Sequence, residues 1–223
     1  MTIVVSGIGH FVAVLAADGY EWLVPWATGA LTLAGITEKI RADPVRPVAV
    51  AITGLSRLRG KYVFSHVGEL MSQYGGERAL DAIQIARYLA EGLETMTIAE
   101  VTQAKRETKG GITPVEGITL FVASWNSERP TVARAELGVE GVAVLEQDEA
   151  VILSAPKCLS EFYTAMPKLR FEGDEALVRQ AVEVVRSGIA EEGRLHGGTN
   201  EHCGPPITWA VIAAGDVTLH SSE

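Results

Sequence analysis

Threonine stands directly after the initiator methionine in this chain. Its small side chain is compatible with methionine removal, which would leave Thr2 carrying both a hydroxyl and a free α-amine. Such an amine has a reference pKa of about 7.7–8.0, so a neutral fraction able to accept a proton exists near pH 7. Nucleophile and base would then belong to one residue, a known form of activated nucleophile. The arrangement improves when a nearby cation lowers the amine's pKa and a carboxylate holds that cation in place. Asp18, at the end of the second apolar run, and Lys39, before the third, are the candidates for these two parts. Taken singly, each also reads as an ordinary surface residue, an Asp in a turn and a solvated Lys.

A second chemical cluster is His196-Gly-Gly-Thr-Asn-Glu201-His202-Cys203. The spacing of its histidines and cysteine matches no standard zinc motif, so a glycine-rich loop with incidental ligands is expected and no metal. Cys203 as a nucleophile needs His196 or His202 as its base. Neighbours in an extended segment point to opposite sides, which makes His202 a poor partner. Gly197-Gly198 is too short for a phosphate-binding loop.

The elements that must position these residues begin with a hairpin. Thr2-Ile-Val-Val-Ser6 and Phe11–Ala17 are short apolar runs separated by Gly7-Ile-Gly-His10. Residues 19–38 read as irregular, with Tyr20, Trp22 and Trp26 available for a substrate groove, a subunit contact or the edge of a core. Val48–Thr53 is a third strand. Apolar residues at helical spacing predict one helix from Ser56 to about Met71 and another after Gly75-Gly76, ending near residue 95. Strands follow at 117–124 and 131–137 around a polar turn, then at 141–145 and 150–153 around the acidic segment Glu146–Glu149. Helices are expected at Cys158–Met166 and at Asp174–Ile189, with Asp174 as the N-cap of the latter. A closing hairpin spans 207–213 and 217–219. Strands, two helices, strands, two helices, strands is not the alternation of a doubly wound parallel sheet. It suits a single layered α+β domain over residues 1–223, with stacked antiparallel sheets covered by helix pairs.

Composition narrows the function classes. Nineteen Lys and Arg against 28 Asp and Glu give a net charge of −9, which lacks the basic footprint of a nucleic-acid binder. No run of 18 apolar residues occurs, so no membrane span is expected. No Lys or Arg precedes the apolar 11–17 run, which argues against a secretory signal. Cys158 and Cys203 are expected as free thiols in a reducing compartment, the cytoplasm.

Thr2-Ile-Val-Val, Val14-Leu-Ala-Ala-Asp18-Gly19, Lys39-Ile40 and Ala51-Ile-Thr-Gly54, in that order, resemble proteasome β subunits and the related bacterial peptidase that partners an ATP-driven unfoldase. These are N-terminal nucleophile hydrolases. The resemblance spans nearly the whole chain and implies a four-layer α-β-β-α sandwich. It makes Thr2 the nucleophile with its own amine as base, Asp18 and Lys39 the supporting charged pair, and Gly54 the backbone donor to the oxyanion. It places Ser154 near the nucleophile and Ser56 toward a substrate side-chain pocket. Late in the chain it aligns Asn200-Glu-His-Cys203-Gly204 with the family's Asp-x-x-Ser-Gly. Asn200 would then orient by hydrogen bonding without supplying charge, and Cys203 would be a weaker donor than a hydroxyl. The stretch from Asp18 to Lys39 is longer than the family's.

The function so implied is peptide-bond hydrolysis through an acyl-enzyme, without cofactor. The partners implied are a peptide or unfolded-protein substrate, further copies in a ring, and an ATP-dependent unfoldase. Two alternatives are a catalytically silent ring subunit, favoured by the 19–38 stretch and Asn200, and an amidase or acyl transferase acting on a small-molecule amide.

Overall fold

In a computed structural model the chain is described at residues 2–23, 32–36, 39–75, 81–107, 117–146, 151–166, 172–200 and 203–222, with only the backbone at 20–23, 32–36, 145–146 and 151–154. The opening hairpin pairs β1 (Val4–Ile8) with β2 (Ala13–Ala17), Val4 opposite Ala17. β3 (Tyr20–Leu23) and β4 (Thr32–Ile36) form a small antiparallel pair with a bulge at Glu21/Trp22. The expectation of irregular structure across 19–38 is thus corrected at these residues. Their β-forming side chains outweigh the breakers between them. Trp26 lies outside the described residues.

β5 (Ile40–Ala42) and β6 (Val48–Gly54) come next, then β7 (Arg57–Leu58) and β8 (Lys61–Tyr62), then α1 (Val63–Gln73). The helix therefore starts at Val63 and not at Ser56. Arg59 and Gly60 both adopt positive φ, 48° and 78°, and turn residues 57–62 into a two-residue-loop hairpin that a helix cannot contain. α2 (Ala82–Glu107) runs well past residue 95. Thr97, Val101 and Ala104 continue its buried side with side chains too small or polar to extend the apolar signal. Asp81 starts this helix by accepting from Ile83 N–H at 2.9 Å, while Thr131 Oγ1 accepts from Ala82 N–H at 3.0 Å.

β9 (Gly117–Trp125), β10 (Pro130–Gly138), β11 (Gly141–Glu146) and β12 (Val151–Ser154) complete the central strands. A 3₁₀ turn (Lys157–Leu159) leads into α3 (Ser160–Ala165), followed by α4 (Asp174–Leu195), β13 (Ile207–Ala213) and β14 (Asp216–Ser222). One five-stranded sheet has the order β12-β1-β2-β13-β14 and the other β11-β10-β9-β6-β5, all neighbours antiparallel. The strands on either side of the acidic segment, β11 and β12, thus belong to different sheets. α3 and α4 cover the first sheet, and α1 and α2 the second.

This is a four-layer α-β-β-α sandwich, and alternation along the strands produces it. Ile3, Val5, Val14 and Ala16 pack against Leu177, Ala181 and Val185 of α4. Their neighbours Val4, Ala13, Leu15 and Ala17 face the second sheet. A strand buried on both faces reads as a continuous apolar run, as both runs of the hairpin do. Half of the described buried residues between the sheets are alanine, filled out by Phe121, Leu15 and Ile212, so the sheets pack closely.

Two carboxylates lock the layers at the end of the sandwich away from Thr2. Asp174 is not the N-cap of α4, a position held by Gly173 at φ 98°. Its carboxylate accepts instead from His10 N–H at 2.9 Å and Phe11 N–H at 3.0 Å, pinning the tip of the β1–β2 hairpin to the helix. In the β5–β6 loop, Asp43 accepts from Val45 N–H, Arg46 N–H and the Arg46 guanidinium. Arg46 also donates to the Met71 and Tyr74 carbonyls at the end of α1, where cations are favoured.

Burial works against the Asp43 charge, yet Arg46 and the two backbone N–H groups hold its carboxyl below the ordinary 3.8. A carboxyl lowered on folding stabilises at pH above its unfolded value, and that contribution is lost as pH falls through the folded value. Asp43→Asn is therefore expected to cost about 1–3 kcal/mol at pH 7 in urea denaturation. The difference from wild type should shrink as pH drops below about 4.

Candidate active site

Thr2 precedes β1 and is 6% exposed. Its place is set by Asp18, the first residue after β2 and 0% exposed. Asp18 Oδ1 accepts from Ile3 N–H at 2.7 Å, Asp18 N–H donates to Ile3 C=O at 3.2 Å, and Oδ2 accepts from Gly204 N–H at 3.3 Å. Gly19 N–H returns to Gly204 C=O at 2.8 Å. The carboxylate thus lies one residue from the nucleophile candidate and joins it to the segment entering β13.

The opposite wall comes from the second sheet. Lys39, 9% exposed, stands immediately before β5, and its carbonyl accepts from Ile52 N–H at 3.3 Å across β6. Thr2, Lys39, Thr53 and Gly54 line one small pocket of about 40 Å3, closed by Ile52, Leu55, Ser56, Tyr62, Val63 and Phe64. Thr2, Thr53 and Gly54 also border an open cleft of about 770 Å3 that runs past Gly117, Thr119 and Gly138 to Ala155 and Lys157. The structure therefore gathers Thr2, Asp18, Lys39, Gly54 and Ser56 at one end of the sandwich.

Gly54 ends β6 at φ 96°, a conformation other residues avoid. Leu55 N–H donates to Gly117 C=O at 3.0 Å, so the chain turns hard against β9. A Cβ on Gly54 would lie 2.2 Å from that carbonyl oxygen. The glycine is what lets backbone, not side chain, form this wall of the cleft.

The remaining predicted residues take other places. Ser154 ends β12 opposite Val4, two residues along from Thr2, and only its backbone is described. Asn200 points into α4, donating from Nδ2 to Ile189 C=O at 2.7 Å and to Glu192 Oε2 at 3.0 Å. Cys203 is buried in the core between α4 and the first sheet. Burial, with the Asp18 and Glu192 carboxylates nearby, pushes its thiol well above the usual range. It stays protonated at neutral pH, the opposite of what a thiolate nucleophile requires. Glu201 and His202 lie outside the described residues. Among the described residues no group of three or more His, Cys, Asp or Glu side chains is placed to hold a metal ion. None of the described helices is long and apolar enough to cross a membrane.

Sequence reasoning missed Thr53, Thr119, Tyr163 and Glu192. Thr53 and Thr119 face each other in register on β6 and β9. A hydroxyl interrupting each apolar strand at the site end was the available signal. Tyr163 of α3 donates to Val184 C=O at 3.3 Å, and burial, Cys203 and Asp18 push its hydroxyl upward. It fits because Gly188 has no Cβ; one there would lie 1.8 Å from the Tyr163 hydroxyl oxygen and 2.8 Å from Ile3 Cδ1. A helical spacing rule cannot register that packing.

No family model matches the chain, and no curated protein matches it. Among solved structures it is similar to a Gly-1 mutant of Anbu from Hyphomicrobium sp. strain MC1, with a TM-score of 0.60 and 14% identity over 99% of this chain and 87% of that one. Anbu is a bacterial proteasome-like protein of the N-terminal-nucleophile type. The similarity shows the fold. It also corrects the resemblance to proteasome β subunits and the unfoldase-partnered peptidase. No family model supports that assignment, and the structural likeness is to Anbu at an identity that carries the architecture alone.

Gly54→Ala is expected to destabilise by about 1–3 kcal/mol or more, since it meets both a positive φ and the Gly117 carbonyl. Thermal unfolding followed by circular dichroism checks this. A Tm within a degree of wild type would show that the backbone here tolerates a side chain.

Proposed function

We propose that the chain hydrolyses amide bonds of peptide substrates, with Thr2 as an N-terminal nucleophile once Met1 has been removed. One observation carries the reading: the Ile3 N–H to Asp18 Oδ1 bond sets Thr2 at the mouth of a cleft whose facing wall is the positive-φ backbone of Gly54.

The freed α-amine takes the proton from Thr2 Oγ as Oγ attacks the scissile carbonyl carbon. Gly54 N–H donates to the resulting oxyanion, where a preorganised donor contributes most. The intermediate collapses, the C–N bond breaks, and the α-ammonium gives its proton to the departing amine. Water, deprotonated by the same amine, then cleaves the ester to release the acid and restore Thr2. Lys39 in the small pocket favours the neutral amine by charge repulsion, and the buried Asp18 carboxylate balances the lysine. Ser154, at the end of the strand beside β1, belongs to the same reading by its position opposite Val4. Cys203 and Asn200 support the loop that carries Gly204. Assembly into a ring, supply of substrate by an ATP-dependent unfoldase and a cytoplasmic location complete the proposal.

The small pocket has room for only a few methyl-sized groups and walls made by Ile52, Leu55, Val63 and Phe64. Peptides with Ala or Val at the residue whose carbonyl is attacked should be preferred to those with Phe or Arg. A panel of fluorogenic peptides set beside small-molecule amides measures this. Turnover of the small amides alone would defeat the peptide assignment.

Thr2→Ala should lower peptide hydrolysis by about 10⁴-fold or more while leaving Tm near wild type. Intact mass after treatment with a threonine-directed covalent inhibitor should show loss of Met1 and one adduct in wild type, and no adduct in the variant. Activity in a preparation that retains Met1 would refute the mechanism.

A further inference from the structure

Glu192 is the one fully buried carboxylate of α4 among the described residues, and the mechanism above makes no use of it. Both of its oxygens are engaged with the segment that follows the helix. His196 Nδ1 lies 2.9 Å from Oε1 and 3.0 Å from the Glu192 backbone carbonyl oxygen, and Asn200 Nδ2 donates to Oε2 at 3.0 Å. Asn200 Nδ2 also reaches Ile189 C=O, and Gly198 N–H donates to Gly193 C=O at 2.7 Å. The start of the α4–β13 connection is therefore fastened to the last turns of α4, with Glu192 at the centre.

The end of the same connection is fastened to the candidate active site. Gly204 N–H meets Asp18 Oδ2, and Gly204 C=O accepts from Gly19 N–H. Asn200 and Gly204 are four residues apart, a tether of no more than about 15 Å at 3.8 Å per step. Where Asn200 is anchored thus limits where Gly204 can present its N–H. Asp18 Oδ1 in turn fixes Ile3 N–H, the peptide group that follows Thr2.

We propose that Glu192 is a positioning residue: through Asn200 and His196 it holds the α4–β13 connection so that Gly204 N–H fixes the Asp18 carboxylate beside Thr2. This rests on the Thr2 reading for its catalytic consequence, but not for its structural one. The members of a buried network support one another, so removing its central acceptor weakens the bonds that remain. Loss of the Glu192 carboxylate leaves Asn200 on Ile189 C=O alone and His196 on a backbone carbonyl alone, which loosens the connection and with it the hold of Gly204 N–H on Asp18.

The test compares Glu192→Ala, Glu192→Gln, Asn200→Ala and the Glu192→Ala/Asn200→Ala double variant in the full chain. Readouts are kcat and KM on a peptide that wild type cleaves, and amide exchange of Gly204 and Ile3 by NMR. Glu192→Ala should lower kcat about 10- to 100-fold with KM within twofold of wild type, and exchange at both amides should quicken. Glu192→Gln keeps an acceptor for Asn200 and should recover most of the loss in both measurements. The double variant should be no worse than Glu192→Ala within about twofold, because both changes break one network.

Wild-type kcat and unchanged exchange in Glu192→Ala would overturn the proposal. So would losses that multiply in the double variant, or a Glu192→Gln as impaired as Glu192→Ala. If Glu192→Ala does not fold, Asn200→Ala decides: it must both lower kcat and quicken Gly204 exchange, and wild-type behaviour in either overturns the proposal. If wild type cleaves no peptide, the Thr2 reading falls separately, and quickened exchange at Gly204 and Ile3 in Glu192→Ala still establishes the coupling. Unchanged exchange there refutes it.

Discussion

A carboxylate with none of its surface exposed must be met by donors, and two of those that meet Asp18 are backbone N–H groups. A backbone donor has a consequence that a side-chain donor does not bring. A lysine or serine can swing to another rotamer, but an amide N–H moves only if its peptide plane moves. With one oxygen on Ile3 and the other on Gly204, Asp18 fixes the approach to β1, the exit of β2 and the entry to β13 relative to one another. The residue placed by this arrangement is Thr2, which stands before β1 and pairs with no strand among the described residues. Position at the site thus derives from a buried charge being satisfied.

The β1–β2 hairpin is clamped at its other end too, where Asp174 accepts from the two turn amides of His10 and Phe11. Between the clamps both faces of the hairpin are covered, one by α4 and the other by the alanine-rich layer against the second sheet. Such a strand pair has little freedom to slide, since a one-residue slip would exchange its two faces. The second sheet meets it as a fixed body, with Gly54 and Gly117 allowing backbone to turn against backbone where a side chain would collide. The cleft is therefore bounded by main chain on one side and by a rigidly seated N-terminal segment on the other.

Elements whose apolar pattern was produced by burial were legible in the sequence. The hairpin, β6, the β9–β10 pair, the start of α4 and the closing hairpin fall close to where period and punctuation put them, while α4 runs on from Ile189 to Leu195. Boundaries failed where another interaction set them. Residues 57–62 carry helix-compatible spacing, and only the positive φ of Arg59 and Gly60 turns them into a hairpin. Asp174 has the composition of an N-cap, but its carboxylate serves a turn more than 160 residues earlier. Thr2, Asp18, Lys39, Gly54 and Ser56 could be picked out because residue type and order marked them. Tyr163 and Glu192 could not, because their placement depends on Gly188 lacking a side chain and on a helix end meeting a loop.

Asn200 shows how far residue-by-residue comparison reaches. Seen in the sequence it is a carboxylate missing from a motif, and so a reason to expect a silent site. In the structure its amide nitrogen is spent on Ile189 C=O and Glu192 Oε2, both acceptors. An aspartate at 200 would have no N–H to offer either one and would set acceptor against acceptor, leaving the buried Glu192 oxygen and the Ile189 carbonyl without that donor. The amide is the side chain that this neighbourhood admits while Glu192 is present, so positions 192 and 200 are properly read as a pair. The absence of charge at 200 therefore does not decide between a working site and a silent one. It follows from a carboxylate that arrives from the helix instead of from the loop.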